Sequence, residues 1–305
     1  AAEASELVPL ELPEAWPPPW RRLVAHLASM RGLELTAAQA APATPLGAAG
    51  FAALRELHHA SPALKTVRLR EPAGAGTPRL AVVLHGGLQT QRHLRFMSAS
   101  VGLESLQPPR GEDLEVLGVE ADFAYESLAA GLAKPAAGFG YVRFEGCFAR
   151  MGEYAISASR VFHQCLEAQL KRRPGCRGLD LLGFSAGGML AWLLLCMLPE
   201  PSEGLRLRTL ALLSPRLEGL YGCWEEAHVR RALEAHGTEV FLGYGELEDQ
   251  EGQGRPFSAM AERLGRLVPE GRLRVRRYPG AGHTMPPQEL QDVRLFLEEV
   301  WHRGQ

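Results

Sequence analysis

Cysteine is scarce in this sequence, and the few cysteines present are scattered. The 305 residues include five cysteines, an odd number, and no two of them form a C-x-x-C pair. They are Cys147, Cys165, Cys176, Cys196 and Cys223. This spacing argues against a disulfide framework and against a cysteine-based zinc site. Because Cys196 lies in an apolar stretch, we interpret it as a small buried hydrophobic residue.

Long apolar runs are also missing. The most apolar stretch, Met189–Leu198, ends at Pro199. It is far shorter than the ~20 residues that a membrane-spanning helix needs, so we expect no transmembrane segment. The N-terminus has no hydrophobic signal region. Because the first residue is not methionine, a targeting segment removed before it remains an alternative.

Neither sign of charge is in large excess. The formal net charge is −2, with 46% hydrophobic and 22% charged residues, which is ordinary for a globular protein. A chain without a basic surplus gives no reason to expect nucleic acid or an anionic membrane as a partner. The oligomeric state and the compartment stay open, with the cytoplasm favoured.

The chain divides into an N-terminal extension and a main domain. Residues 1–63 are broken by prolines and show helical patterns only in short pieces. We expect this segment to pack on the main domain, with an oligomer contact as the alternative. From residue 64 to residue 305, strand and helix patterns alternate, which predicts a single second domain.

The alternation predicts an α/β fold, a mostly parallel, doubly wound sheet with helices on both faces. The predicted strands are Leu64–Arg70, Leu80–Leu84, Leu114–Val119, Leu179–Leu182, Leu207–Leu213, Glu239–Gly243 and Leu273–Tyr278. The predicted helices are Leu94–Leu106, Glu153–Arg172, Ala186–Leu198, Glu225–His236, Phe257–Leu267 and Pro287–Trp301. Since ligands bind such sheets at the carboxyl ends of the strands, the residues just after each strand should carry the chemistry.

One of these strand ends has the pattern of a nucleophile elbow. Gly183-Phe184-Ser185-Ala186-Gly187 stands between a short apolar strand and an apolar helix. Glycines on both sides allow a tight turn that lifts the serine hydroxyl above the edge of the sheet. The helix that follows directs its amide groups and its positive dipole end at charge developing there. The pattern predicts Ser185 as a nucleophile.

An earlier strand end predicts part of an oxyanion hole. His85-Gly86-Gly87-Leu88 follows the strand that ends at Leu84. A serine nucleophile needs two N–H donors for the developing oxyanion. We predict that Ala186 supplies one and that Gly87 or Leu88 supplies the other. The alternative is that the glycines serve only a tight turn, and His85 itself is predicted to be structural.

The last strand end predicts a general base. His283 directly follows the glycine-rich segment Pro279–Gly282. It lies just before a predicted helix that Pro286 and Pro287 initiate. A serine hydroxyl becomes a good nucleophile when a base takes its proton, and histidine suits that task near neutral pH. The alternative is a surface histidine on a loop.

Three carboxylates compete for the role of the acid that orients His283. Glu246, Glu248 and Asp249 all follow the strand that ends at Gly243. We favour Glu248, with Asp249 as the first alternative. In a further alternative, all three are surface charges and a serine–histidine pair suffices.

Three segments together resemble the phospholipase/carboxylesterase family, which includes the acyl-protein thioesterases. They are "LAVVLHGG", "GFSAGGMLAWLLL" and "RRYPGAGHTMPPQELQDVRLFLEEV", and the resemblance covers roughly Leu80–Val300. It implies an α/β-hydrolase fold, a Ser-Asp-His triad, and hydrolysis of carboxylic esters or thioesters without a metal or an organic cofactor. Carried over to this chain, Ser185 is the nucleophile, His283 the base, and Gly87 and Ala186 the oxyanion positions.

The chain departs from that family pattern in three places. Ala186 stands where the family has glutamine, and Glu248 stands where it has aspartate. Ala121–Arg150 does not match the family's substrate loop, so acyl and leaving-group specificity stay open. With no large cap domain expected, we predict that this segment shapes the pocket, with Leu220 and Trp224 as further walls.

The resemblance therefore implies a serine esterase or thioesterase acting through an acyl-enzyme on a small-molecule or lipid-like acyl ester. One alternative is acyl transfer or other non-hydrolytic chemistry on the same residues. Another is a non-catalytic receptor or scaffold that keeps the fold.

Overall fold

The structure of the protein is a computed structural model. It describes residues 64–74, 76–87, 89–120, 123–127, 136–140, 157–158, 160–201, 205–215, 217, 225–249 and 257–303, with only the backbone given for 123–127 and 136–140. The predictions for residues 1–63, Leu88, Leu220, Trp224 and most of Ala121–Arg150 lie outside these ranges.

Among the described residues, seven strands form one sheet and two further strands form a separate hairpin. The strands are β1 (Lys65–Arg70), β2 (Thr77–Leu84), β3 (Glu112–Glu120), β4 (Phe123–Ser127), β5 (Ala136–Gly140), β6 (Gly178–Phe184), β7 (Arg206–Leu213), β8 (Glu239–Gly245) and β9 (Leu273–Tyr278). The large sheet has the order β1-β3-β2-β6-β7-β8-β9. Only β1 in this sheet pairs antiparallel, with β3, and every other pairing is parallel. The hairpin joins β4 to β5.

Helices cover both faces of the sheet. They are α1 (Gln91–Val101), α2 (Ala168–Arg172, continuing a π-helical stretch Val161–Glu167), α3 (Ala186–Met197), α4 (Glu226–His236), α5 (Phe257–Leu267) and α6 (Pro287–His302). One core layer joins the sheet to α1 and α6, and the other joins it to α2, α3, α4 and α5. Strand β2 shows why both layers form, since Leu80, Val82 and Leu84 enter one and Ala81 and Val83 enter the other.

The mostly parallel, doubly wound sheet confirms the predicted architecture, and the predicted strands all lie within a residue or a few of the observed ones. The helix predicted over Leu94–Leu106 begins and ends earlier than predicted. Helix α1 ends at Val101 because Gly102 adopts the left-handed conformation, with φ 74°, and caps it. The predicted Glu153–Arg172 helix contains the π-helical stretch from Val161. No helix in the described ranges is long and apolar enough to cross a membrane.

A buried cluster of charged and polar side chains lies at the amino ends of the central strands. The Arg79 guanidinium in β2 pairs with both carboxylate oxygens of Asp180 in β6, at 2.7 and 2.9 Å. Asp180 also accepts hydrogen bonds from Thr209 Oγ1 at 2.6 Å and Trp301 Nε1 at 3.2 Å. Arg79 further lies over the Trp301 ring, 4.5 Å from its centroid. This cluster ties the end of α6 to the sheet.

Candidate active site

Ser185 occupies a sharp turn between β6 and α3. Its backbone has φ 52° and ψ −115°, a strained conformation for a residue with a side chain. The N–H of Ser185 donates to the Leu213 carbonyl at 2.8 Å. A Cβ added at Gly183 would overlap the Gly187 carbonyl, and one added at Gly187 would overlap the Leu84 carbonyl. The two glycines of the motif therefore permit the close packing that holds the turn.

Ser185, His283 and Glu248 form one hydrogen-bonded chain. His283 Nε2 lies 2.8 Å from Ser185 Oγ, and His283 Nδ1 lies 2.6 Å from Glu248 Oε1. The three side chains come from the carboxyl ends of β6, β8 and β9, the sheet edge at which the sequence predicted the chemistry. A base that contacts both a serine and an orienting carboxylate can activate that serine as a nucleophile.

Glu248 is the carboxylate that reaches His283, and its own surroundings hold it ionised. Its side chain is fully buried, and its Oε2 accepts hydrogen bonds from Ser214 Oγ at 2.6 Å and from the Gly245 N–H at 2.9 Å. Burial alone would raise the pKa of the Glu248 carboxyl. The hydrogen bonds from His283, Ser214 and Gly245 outweigh burial, so this pKa lies below its usual range.

The two competing carboxylates point elsewhere. Glu246 pairs with Arg277 at 3.1 Å and accepts a hydrogen bond from the Gly280 N–H at 3.1 Å. Asp249 Oδ1 accepts a hydrogen bond from the Ser258 N–H at 3.1 Å. Since residues 246–249 form one 3₁₀ turn, successive side chains leave it in different directions. That turn geometry separates Glu248 from its neighbours.

The turns that carry the acid and the base pack directly on each other. The Leu247 N–H donates to the Ala281 carbonyl at 2.9 Å. A Cβ added at Gly245 would overlap the carbonyl oxygens of Ala281 and Gly282. The acid and the histidine are therefore held at a fixed separation by backbone contacts as well as by their own hydrogen bond.

The two predicted sources of oxyanion donors lie beside the elbow. Ala186 is the first residue of α3, so its N–H has no acceptor within the helix. Gly87 lies in the turn after β2, and Leu88 falls outside the described residues. His85 is buried, and its Nδ1 lies 2.6 Å from the Gly86 carbonyl oxygen, consistent with its predicted structural role. Burial lowers the pKa of the His85 imidazole.

Several residues near the chain of hydrogen bonds were not predicted from the sequence. Ser214 follows β7, is fully buried, has φ 43° and donates to Glu248. Its position at the end of a parallel strand is the one signal that points to it. The Phe184 ring lies 5.2 Å from the His283 ring, centroid to centroid. We call residues 85–87, which follow β2 and include the predicted donor Gly87, the oxyanion turn. Gln89 lies after this turn and accepts a hydrogen bond from the Gly86 N–H at 2.8 Å.

A second carboxyl group is buried beside β8, the strand that leads to Glu248. Glu289, in the first turn of α6, is completely buried, and neither of its oxygens has a hydrogen-bond partner among the described residues. It occupies the space beside Gly243, where an added Cβ would overlap it. Burial, and then the charges of Glu248 and Asp292, raise the pKa of this carboxyl well above its usual value. The neutral form of Glu289 is therefore favoured to a higher pH than that of an exposed glutamate.

Comparison with known proteins identifies the fold. No protein-family model matches the sequence. Among solved structures, the chain is similar to the esterase PE8, with a TM-score of 0.52 and 19% identity over 78% of this chain and 100% of that chain. The chain has the α/β-hydrolase fold. The chain is also similar to a SOBER1 variant from Arabidopsis thaliana, with a TM-score of 0.51 and 17% identity over 73% of this chain and 99% of that chain.

This α/β-hydrolase fold is the class that the sequence predicted.

Within the ranges that the structure describes, no group of three or more histidine, cysteine, aspartate or glutamate side chains could hold a metal ion. Cys165, Cys176 and Cys196 are free and buried. Burial raises the pKa of the Cys176 thiol to about 11 and that of the Cys165 thiol to about 12, so neither is a reactive thiolate near neutral pH.

Proposed function

We propose that this protein is a serine hydrolase that cleaves carboxylic esters or thioesters through an acyl-enzyme on Ser185. The observation that carries the proposal is the continuous chain from Ser185 Oγ to His283 Nε2, at 2.8 Å, and from His283 Nδ1 to Glu248 Oε1, at 2.6 Å. Both distances are within reach for proton transfer. The strained backbone of Ser185 adds support, because strain of this kind clusters at functional sites.

The first half of the reaction acylates the serine. Ser185 Oγ attacks the acyl carbonyl carbon while its proton moves to His283 Nε2. Glu248 accepts the Nδ1–H hydrogen bond and stabilises the imidazolium that forms. When the tetrahedral intermediate collapses, the bond to the leaving alcohol or thiol breaks, and the leaving group takes the proton from Nε2.

The second half restores the enzyme. A water molecule gives a proton to His283 Nε2 and attacks the acyl-enzyme carbonyl. Collapse of this second intermediate releases the carboxylic acid and returns the proton to Ser185 Oγ. In both halves, the N–H groups of Ala186 and of Gly87 or Leu88 stabilise the oxyanion, aided by the positive end of the α3 dipole.

Esters and thioesters are favoured over peptides by two lines of support. The sequence resembles the phospholipase/carboxylesterase family at the elbow and at the His283 segment. The fold is similar to that of a protein named as an esterase. The acyl chain length and the leaving group stay open, because the segment proposed to shape the pocket, Ala121–Arg150, lies mostly outside the described residues.

The test is hydrolysis of p-nitrophenyl esters from acetate to palmitate by the wild type and by Ser185→Ala. We expect a wild-type signal that Ser185→Ala lowers by several orders of magnitude, because the variant has no nucleophile. The chain-length optimum measures the acyl pocket. Full activity in Ser185→Ala would overturn the mechanism.

Labelling by a fluorophosphonate probe separates the alternatives. We expect Ser185 to be labelled, because labelling requires an activated serine. If Ser185 is labelled and the products are esters of an added alcohol instead of the free acid, acyl transfer is favoured over hydrolysis. A wild type that neither hydrolyses these esters nor reacts with the probe would favour a non-catalytic role for the fold.

A further inference from the structure

We propose that Gln89 is a positioning residue that fixes the oxyanion turn after β2 through its side-chain oxygen. The inference rests on the proposed serine hydrolase function and adds a residue to it. Gln89 itself contacts no reacting atom. It acts on the backbone of Gly86, and through Gly86 on the N–H of Gly87.

The first observation is the hydrogen bond that closes the turn. The Gly86 N–H donates to Gln89 Oε1 at 2.8 Å. This N–H is thereby engaged on the side of Gln89 and is not a donor for an oxyanion. The next N–H along the chain, that of Gly87, is a predicted oxyanion donor, and it is the donor to which this inference applies.

The second observation concerns the direction of the Gly87 N–H. The Gly86 carbonyl oxygen lies 2.6 Å from His85 Nδ1, and no cis peptide bond occurs among the described residues. In a trans peptide the carbonyl and the following N–H point in opposite directions. The bond to His85 therefore turns the Gly87 N–H away from the His85 ring. Gly86 has its peptide planes fixed on both sides, by His85 on one and by Gln89 on the other.

The third observation is that the chain directly after Gln89 is held by hydrogen bonds. It directly precedes Thr90, the N-cap of α1, whose side chain accepts a hydrogen bond from the Arg92 N–H at 3.3 Å. The Thr90 N–H in turn donates to His93 Nδ1 at 3.2 Å. These bonds form a capping box that sets the direction in which the chain enters α1. The backbone on the C-terminal side of Gln89 is thus held in place by these hydrogen bonds.

The fourth observation links the turn to the rest of the site. A Cβ added at Gly86 would lie 2.8 Å from the Phe184 ring, and that ring contacts His283. Gly187, one residue beyond the Ala186 donor, packs against the carbonyl oxygens of Leu84 and His85. The two donors are therefore held relative to each other through contacts along residues 84–86. Because glycine has wide backbone freedom, loss of the Gln89 bond would release this point.

The test compares Gln89→Met, which keeps the side-chain length and removes the acceptor, with the wild type. We expect kcat for p-nitrophenyl acetate to fall about 10- to 100-fold, because an oxyanion donor displaced by a fraction of an ångström stabilises the transition state less. KM should stay within about twofold, since the ground state does not use that donor. Phenylboronic acid forms a tetrahedral adduct with the serine. Its inhibition constant should therefore rise by about the same factor as kcat/KM falls.

The matched control is Gln91→Met. Gln91 lies two residues further along, and its side chain donates to Glu120 at 2.9 Å, so the variant also loses one side-chain hydrogen bond but not the one in the turn. Thermal unfolding of both variants measures whether their losses of stability are comparable. We expect kcat of Gln91→Met to remain near that of the wild type.

Two results would overturn the inference while the proposed function stands. One is a Gln89→Met enzyme with wild-type kcat. The other is an equal loss of kcat in Gln91→Met, which would indicate general destabilisation. A wild type that neither hydrolyses p-nitrophenyl acetate in a Ser185-dependent manner nor binds the boronic acid would instead overturn the proposed function, and this inference with it.

Discussion

Glu248 presents its carboxylate one methylene further from the backbone than an aspartate would. From its 3₁₀ turn it reaches His283 with one oxygen and both Ser214 and Gly245 with the other. Three donors thus surround one buried carboxylate, which is what an ionised group needs to lie out of water. The length of the side chain and the position of its donors fit each other.

This geometry assigns unequal effects to the neighbouring carboxylates. We expect Glu248→Gln to lower kcat by about 10⁴-fold, because a neutral amide neither stabilises the imidazolium nor fixes the reactive tautomer of His283. Asp249→Asn should keep kcat within about threefold, since the described partners of Asp249 are the Ser258 N–H and Arg277, not His283. Steady-state kinetics on p-nitrophenyl acetate measures both. A larger loss in Asp249→Asn than in Glu248→Gln would contradict the assignment.

At the scale of the element, helix α6 begins with a buried acid. Glu289 lies in its first turn with the carboxylates of Glu248 and Asp292 acting on it, and the ring of Phe241 and the backbone of Gly243 lie close by. The Tyr278 hydroxyl of β9 donates to Asp292 at 2.9 Å. A carboxyl so placed is tolerated in its neutral form and is costly when ionised.

The raised pKa of Glu289 makes the stability of the protein depend on pH. In the unfolded chain a glutamate loses its proton near pH 4.3, whereas folded Glu289 keeps it to a higher pH. The folded state then binds more protons than the unfolded state, so the free energy of unfolding falls as pH rises from that value through the folded pKa. We expect Glu289→Gln to remove this component of the pH dependence. Urea unfolding at several pH values between 5 and 9 measures it.

The control for that measurement is Glu270→Gln, at an exposed glutamate. It changes the same functional group without the burial, so its unfolding free energy should follow the wild-type dependence on pH. If Glu289→Gln and Glu270→Gln gave the same dependence, Glu289 would not hold its proton in the folded protein.

The sequence predicted elements well where one local signal decides them. The nucleophile turn of Ser185 and the base turn of His283 were both located, because each lies at the junction of a predicted strand and a predicted helix. Among the three carboxylates the sequence favoured Glu248 but kept Asp249 and Glu246 as alternatives, because the choice depends on the 3₁₀ turn that follows β8. Ser214 and Gln89 were missed since their bonds to Glu248 and Gly86 leave no local pattern in the sequence.

At the scale of the whole molecule, the two edges of the sheet carry different kinds of polar group. The carboxyl edge holds Ser185, His283 and Glu248. The amino edge holds the buried cluster of Arg79, Asp180 and their neighbours. Strands β2 and β6 run from one edge to the other, so both clusters lie on the same two strands. None of the hydrogen bonds described above joins the two clusters directly.

This separation predicts that stability and catalysis respond differently to the amino edge. We expect Arg79→Met to lower the free energy of unfolding by about 3 kcal/mol, because it leaves the Asp180 carboxylate buried without its cation. Adding Asp180→Asn should restore part of the loss. Below the unfolding temperature, kcat should stay within about twofold of the wild type. Urea unfolding and steady-state kinetics measure the two effects.

Arg177→Met is the control, because Arg177 is exposed and its loss should change the free energy of unfolding by less than about 0.5 kcal/mol. An Arg79→Met protein that unfolds like the wild type would contradict the stabilising role of the cluster. One that is stable but loses kcat would contradict the independence of the two edges.

The order of the residues along the chain also has a consequence for biosynthesis. His283 lies 98 residues after Ser185, and Trp301, which completes the cluster around Arg79, comes later still. Because a ribosome releases the N-terminal part first, the serine emerges long before its base. A nascent chain that still lacks β9 and α6 also lacks His283, the proposed proton acceptor of Ser185. The proposed catalytic machinery is thus assembled only after β9, the His283 turn and α6 have been synthesised.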